Sequence, residues 1–120
     1  MITGLNPKQV VEIVYSRDKG DKPTKWGIGV LLLEHKNSLL NGSIGEKGQI
    51  KYDVLISRIG DILKNGLKSI KNYKKDAESE PADYDVVDDA LIQTIPYEVQ
   101  IELMDKIVEF NFISKEEAKN

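Results

Sequence analysis

The clearest apolar pattern lies near the C-terminal end and predicts a helix from Pro96 to about Asn111. Apolar residues recur there every three or four positions, which places them on one face of a helix: Val99, Leu103, Met104, Ile107 and Val108. Pro96 suits a helix start because its missing N–H needs no partner there. A face this apolar has to be covered.

The same spacing predicts further helices earlier in the chain. Asn6 followed by Pro7 is typical of a helix start, and the valines after it share a face, so a short helix is predicted from Pro7 to Tyr15. The β-branched side chains argue mildly against it. A second helix is predicted from Ile50 to Lys64, where Gly60 indicates close packing against another backbone. Shorter helical turns are predicted at residues 32–40 and at residues 90–95, the latter capped by Asp89.

One segment alternates as a strand does. Trp26, Ile28 and Val30 occupy every second position, whereas Gly27 and Gly29 weaken a strand. We therefore expect a short edge strand or hairpin around residues 24–31. The predicted fold is a small, mainly α domain, and the strand leaves an α+β fold open.

Length and composition predict a single domain covering residues 1–120. Residues 74–89 are acidic, contain Pro81 and lack large aliphatic side chains apart from two valines, which predicts an acidic loop. Gly42, Gly45 and Gly48 predict another loop, and Ser114 with Glu117 matches a capping box.

The residue types present narrow the function classes. The chain has no cysteine, which rules out disulfides and thiolate chemistry and makes the cytoplasm the expected compartment. Its longest apolar run, Val30 to Leu33, is far short of a membrane span, and no signal peptide is expected. The formal net charge of -3 makes nucleic acid an unlikely partner.

Motifs for cofactors or metals are not convincing. Clustered aspartates invite a calcium or magnesium site, but they lack the turn glycine and the closing glutamate of a calcium loop: Asp83, Asp85, Asp88 and Asp89. The glycines at 42–48 lack the Lys-Ser/Thr pair of a phosphate loop. We expect no cofactor and no metal.

Catalysis and nucleic-acid binding have equally little support. His35 is the one histidine and has no nucleophile turn to serve, so a surface histidine is expected and the protein is predicted not to be an enzyme. The basic stretch from Lys64 to Lys75, with Tyr73 inside it, could hold phosphates and stack bases. The acids that follow it favour an ordinary exposed basic face instead.

Large apolar side chains are the best candidates for binding a protein. Trp26 is equally compatible with an interface and with the core. Phe110, Phe112 and Ile113 follow the last helix near the chain end and would form an adhesive patch if exposed. Val99, Leu103, Ile107 and Phe110 could form a face for a partner helix, although a core role is favoured.

The order of these segments resembles the small tail assembly chaperones of tailed bacteriophages and prophages. The resemblance covers most of the chain and rests on LNPKQVVEIVYSRD, KWGIGVLLL, NGLKSIKNY and, above all, LIQTIPYEVQIELMDKIVEFNFISKEEAKN. It implies a non-catalytic protein that binds a tail or tape measure protein before virion assembly and keeps its aggregation-prone helices soluble. The oligomeric state stays open.

Three alternative functions are also compatible with the sequence. A structural or accessory component retained in the virion would have a similar composition. A small nucleic-acid-binding regulator would use Lys64 to Lys75. An enzyme would have to depend on His35.

Overall fold

The structure is a computed structural model that describes residues 1–4, 6–42 and 51–112. Several predicted features lie outside these residues: Gly45 and Gly48 of the glycine loop, the start of the second helix at Ile50, Ile113, and the capping box of Ser114. The described residues form four strands and five helices: β1 Val10–Val14, β2 Lys25–Gly29, α1 Leu33–Gly42, α2 Tyr52–Ser57, α3 Ile59–Gly66, β3 Leu67–Tyr73, β4 Ala82–Tyr84, α4 Asp89–Thr94 and α5 Tyr97–Asn111. Within the described ranges, no helix has both the length and the apolar character that crossing a membrane requires.

The strands form one antiparallel sheet in the order β1-β2-β3-β4. The expectation of a mainly α domain is therefore wrong, and the fold is α+β. The strand expected around residues 24–31 exists as β2, but it lies inside the sheet rather than at its edge. Its glycines suit this place, because a Cβ on Gly27 would overlap the side chains of Ser69 and Val10 on the neighbouring strands.

The helix predicted from Pro7 to Tyr15 is wrong, since this segment contains β1. Asn6 does not cap a helix but closes a turn, in which its Oδ1 accepts from the Lys8 N–H at 3.0 Å. The β-branched residues that follow favour a strand. Val11 and Ile13 pack against the core.

The basic stretch after α3 is largely strand β3. Leu67, Ile70 and Tyr73 are buried along it, which gives the strand an inner face despite its lysines. Asn72 has a positive φ of 56°, a conformation that asparagine tolerates better than most residues. Its backbone N–H donates to Asp83 Oδ1 at 2.8 Å, which ties β3 to β4 inside the predicted acidic loop.

The other predicted helices exist with shifted ends. The turns expected at residues 32–40 and 90–95 correspond to α1 and α4, and Asp88 rather than Asp89 caps α4 by accepting from the Leu91 N–H at 2.8 Å. The helix predicted to end at Lys64 is broken at Arg58 into α2 and α3.

The glycines of α3 differ in their surroundings. No heavy atom lies within 4 Å of a Cβ built on Gly60, so the expected close packing there is wrong. Gly66 is the close contact instead, because a Cβ on it would lie 2.5 Å from Ile107 Cγ2 of α5.

The core lies between the inner face of the sheet and α3, α4 and α5. The predicted apolar face of α5 is buried against it: Val99, Leu103, Met104, Ile107 and Val108. Leu63, Ile70 and Ile107 have no exposed surface. The strongest sequence pattern therefore becomes the cover of the sheet, and α5 ends at Asn111 as predicted.

Asn111 joins the end of α5 to the end of β2. Its Oδ1 accepts from the Leu31 N–H at 2.7 Å, and its Nδ2 donates to Gly29 O at 3.1 Å and to Ile107 O at 2.8 Å. The side chain is buried, so each of these bonds satisfies a backbone group in a place that water does not easily reach.

We expect Asn111→Ala to lower the free energy of unfolding by about 2–3 kcal/mol, because it leaves buried backbone groups without partners. Asn37→Ala, on the exposed side of α1, is the matched control and should change stability by less than about 0.5 kcal/mol. Urea unfolding followed by circular dichroism measures both. Equal effects of the two substitutions would contradict the role assigned to Asn111.

We expect alanine to have opposite effects at the two glycines of α3. Gly66→Ala forces its new methyl into Ile107 and should cost about 1–3 kcal/mol. Gly60→Ala meets no neighbour and should stabilise the helix by about 0.5–1 kcal/mol. Thermal unfolding of the pair tests this, and a stabilised Gly66→Ala would show that α3 and α5 are not in close contact.

Candidate functional site

Four of the six side chains expected to bind a partner are in the core. Trp26, Val99, Leu103 and Ile107 are at most 9% exposed. Trp26 packs against Tyr73 with ring centroids 5.3 Å apart, and its indole N–H has no hydrogen-bond partner within the described residues. In this arrangement none of the four presents a surface to another protein.

The other two candidates lie at the end of α5. Phe110 and Phe112 are partly buried and pack against the core. Neither residue is fully exposed, as an adhesive patch at the end of α5 would require. The structure therefore places four of the six residues in the core and packs the other two against it.

The clustered aspartates have different hydrogen-bond and ion-pair partners. Asp88 caps α4, Asp83 accepts from the Asn72 N–H, and Asp89 lies 3.3 Å from Lys64 Nζ. Across residues 1–4, 6–42 and 51–112, no three His, Asp or Glu side chains converge as metal ligands would.

His35 lines a cavity of about 210 Å³ between α1 and α3. Across this cavity, Arg58 Nη1 donates to the backbone oxygen of Ser38 at 2.5 Å and to its Oγ at 3.0 Å. The nearest carboxylate to His35 is the exposed Glu34, 3.7 Å away, and no serine hydroxyl donates to the imidazole in the described part of the chain. The two hydrogen bonds of Arg58 connect α1 to the start of α3. No hydroxyl among the described residues is hydrogen-bonded to His35 as a nucleophile would be to its base.

The basic stretch does not form one surface. Tyr73, its aromatic residue, is buried, and its hydroxyl is hydrogen-bonded to Thr94 Oγ1 at 2.8 Å. Burial also raises the pKa of this hydroxyl. Lys64 pairs with Asp89, Lys68 donates to Asn65 O, and Lys71 pairs with Glu12 on β1. Tyr73 is therefore not accessible for stacking on a nucleic-acid base.

The outer edge of β1 is the most conspicuous open surface. β1 pairs with β2 on one side only, and no hydrogen bond from any described residue reaches its other side. Val10 and Val14 are 45% and 41% exposed on either side of Glu12. Edge strands are usually protected by charges, proline or bulges, and β1 has a single charge.

A groove begins where β1 ends. Tyr15, Ser16 and Arg17 form one wall of a cavity of about 400 Å³, and the polar side of α5 forms the other. The α5 wall consists of side chains spaced along one helix face: Tyr97, Glu98, Ile101, Glu102 and Asp105. We call this cavity the α5 groove.

The two walls are joined by a carboxylate. Glu102 accepts from the Ser16 N–H at 2.8 Å and from the Ser16 hydroxyl at 2.5 Å. Further along, Tyr52 OH donates to Asp105 Oδ2 at 3.2 Å. Desolvation and the nearby Asp105 charge raise the pKa of Tyr52, so its hydroxyl remains a donor at neutral pH.

Asp105 is the acid of the α5 groove whose pKa is shifted. Burial raises the pKa of its carboxyl above the ordinary value of 3.8, and the charges of Glu109 and Glu102 act in the same direction. The hydrogen bond from Tyr52 and the charge of Lys106 oppose this shift. Ionised Asp105 is therefore poorly compensated, and a cation arriving in the groove would stabilise it.

Sequence reasoning missed both surfaces for one reason. It assigned residues 7–15 to a helix, so the edge of β1 and the wall formed by Tyr15 were not foreseen. The alternation of Val11, Ile13 and Tyr15 was the signal that could have found them.

The chain matches no family model, no curated protein and no solved structure.

We expect Asp105→Asn to change how stability depends on pH. Because the folded-state pKa of Asp105 is raised, the folded protein binds a proton more readily than the unfolded chain does, so this residue costs stability at neutral pH and the cost disappears as the pH falls through the raised pKa. Stability of the natural protein relative to Asp105→Asn should therefore rise between about pH 7 and about pH 4. Urea titrations across this range test it, and a relative stability that stays constant or falls would be inconsistent with the shift.

Proposed function

We infer that this protein is a non-catalytic binding protein of the tail assembly chaperone type, which holds a phage tail or tape measure protein in the host cytoplasm before assembly. The observation that carries the binding role is the outer edge of β1, which has exposed valines and no partner among the described residues. The resemblance of the sequence to tail assembly chaperones supplies the identity of the partner.

Unpaired backbone groups along a strand favour an extended partner segment. A strand added to β1 would satisfy its outward N–H and C=O groups, and alternate side chains of the added strand would meet Val10 and Val14. This differs from the helix-in-groove mode expected from the sequence, because the apolar face of α5 is already used in the core.

The remainder of the fold supports such a role. α5, α3 and β2 form a packed base, so the edge of β1 is held in place before a partner arrives. A pre-formed edge lowers the entropy cost of binding an unfolded or partly folded client. Small size and a net charge of -3 help to keep a complex soluble.

Co-expression with the tail and tape measure proteins of the same genome tests the proposal. We expect a tagged chain to retain one of them in a pull-down and to be absent from purified particles. Presence in particles would indicate a structural component instead. Retention of no tail or tape measure protein would contradict the chaperone role.

Two lysine substitutions show whether β1 is the binding edge. Val14→Lys places a charge on the exposed face of the edge strand and should reduce retention at least about tenfold, because lysine at an edge opposes strand addition. Val86→Lys is the control, since Val86 is 78% exposed in the segment between β4 and α4. Circular dichroism verifies that both variants fold. Equal retention by the two would exclude β1 as the edge that binds.

A further inference from the structure

We propose that the α5 groove binds a lysine or arginine side chain of the partner segment that pairs with β1. The inference rests on the proposed binding role and adds the chemistry of the partner: an extended apolar segment next to a basic residue. It follows from the position of the groove, its charge and its aromatic lining.

The groove continues the open edge of β1 along the chain. Val14 is the last residue of the strand, and Tyr15, Ser16 and Arg17 follow it directly as the wall of the groove. A strand added beside Val10–Val14 therefore has one end at the mouth of the groove. The residues that continue that strand past Val14 would lie beside the wall formed by Tyr15, Ser16 and Arg17.

The lining is acidic. It includes the carboxylates of Glu98, Glu102 and Asp105 against the single cation of Arg17. Within residues 1–4, 6–42 and 51–112, neither Glu98 nor Asp105 lies within ion-pair distance of a lysine or arginine. Glu102 is held by Ser16, so it adds negative charge at a fixed place. The charge of the groove is complementary to a basic side chain.

The aromatic and aliphatic lining suits the rest of such a side chain. Tyr97 is 58% exposed on the groove wall, and Ile101 lies one helical turn further along. Lysine and arginine carry long apolar stems that pack on such surfaces while their cations reach carboxylates. A cation over an exposed ring gains further stabilisation. A small anion or a purely apolar segment would use only part of this lining.

A cation bound in the groove would also change the pKa of Asp105. Burial and the neighbouring acids raise the pKa of its carboxyl, and a cation nearby would act against this shift by favouring the ionised form. Binding should therefore become tighter as the pH rises through the titration of Asp105.

Two synthetic peptides serve as probes. One alternates valine and threonine over seven residues and has one lysine at each end, so that either strand direction places a lysine at the groove, and the other has two glutamates in place of the lysines. Fluorescence anisotropy with the full chain measures their dissociation constants. We expect the lysine peptide to bind at least about fivefold more tightly, with the preference falling as salt is added.

Charge-matched variants separate the groove from net charge. The double substitution Glu98→Gln with Asp105→Asn should remove most of the preference for the lysine peptide. Glu78→Gln with Glu80→Gln removes the same charge from an exposed segment between β3 and β4, and should leave the preference nearly unchanged. Equal losses in the two double variants, or no preference in the natural protein, would overturn the proposal.

The two proposals can fail separately. If a tail protein is retained and Val14→Lys abolishes retention, but the lysine preference is absent, the binding role stands and the assignment of the α5 groove is wrong. If no tail protein is retained while the groove variants still lose the lysine preference, the groove binds basic segments and the chaperone role is wrong.

Discussion

The packing of α5 across the inner face of the sheet is the constraint on which the rest of the structure depends. Its apolar side covers β2, Gly66 permits its close approach to α3, and Asn111 fixes its end to the chain that leaves β2. Hydrophobic burial supplies most of the stability of this contact, but it does not set a register along the helix. The hydrogen bonds of Asn111 do, because each connects one defined backbone group to one side-chain atom.

This packing determines which surfaces a partner can use. Three of the four residues that a helix-in-groove partner would need, Val99, Leu103 and Ile107, are already buried. The proposed partner would therefore meet the outer edge of β1 and the polar side of α5. The bond between Glu102 and Ser16 joins these two surfaces and holds the end of β1 against α5. The strand edge and the α5 groove are therefore adjacent, because Tyr15, Ser16 and Arg17 of the groove wall directly follow the last residue of β1.

The sequence predicts α5 and the two short helices well because their patterns do not depend on distant residues. It fails for β1, where Asn6 and Pro7 fit a turn as well as a helix start, and where the valines occupy positions compatible with both periods. It also does not predict strand β3, because the lysines between Leu67, Ile70 and Tyr73 make this segment look like an exposed basic stretch, whereas these three residues are buried. Strand pairing joins segments far apart in the chain, such as Trp26 and Ile70, and no local pattern contains that information. The open edge of β1 arises from this pairing, and the alternation of Val11, Ile13 and Tyr15 was the local signal that indicated a strand there.

The most direct test is backbone amide hydrogen exchange, measured for the protein alone and in the presence of the tail protein proposed as its partner. New protection is expected at residues 10–14, where a partner strand would cover the open edge, and at residues 15–17 beside the α5 groove. Amides in the core of α5 should change little, because they are already protected. Protection confined to α1 or to α4, with β1 exchanging as in the protein alone, would contradict the claim that the edge of β1 is the binding surface.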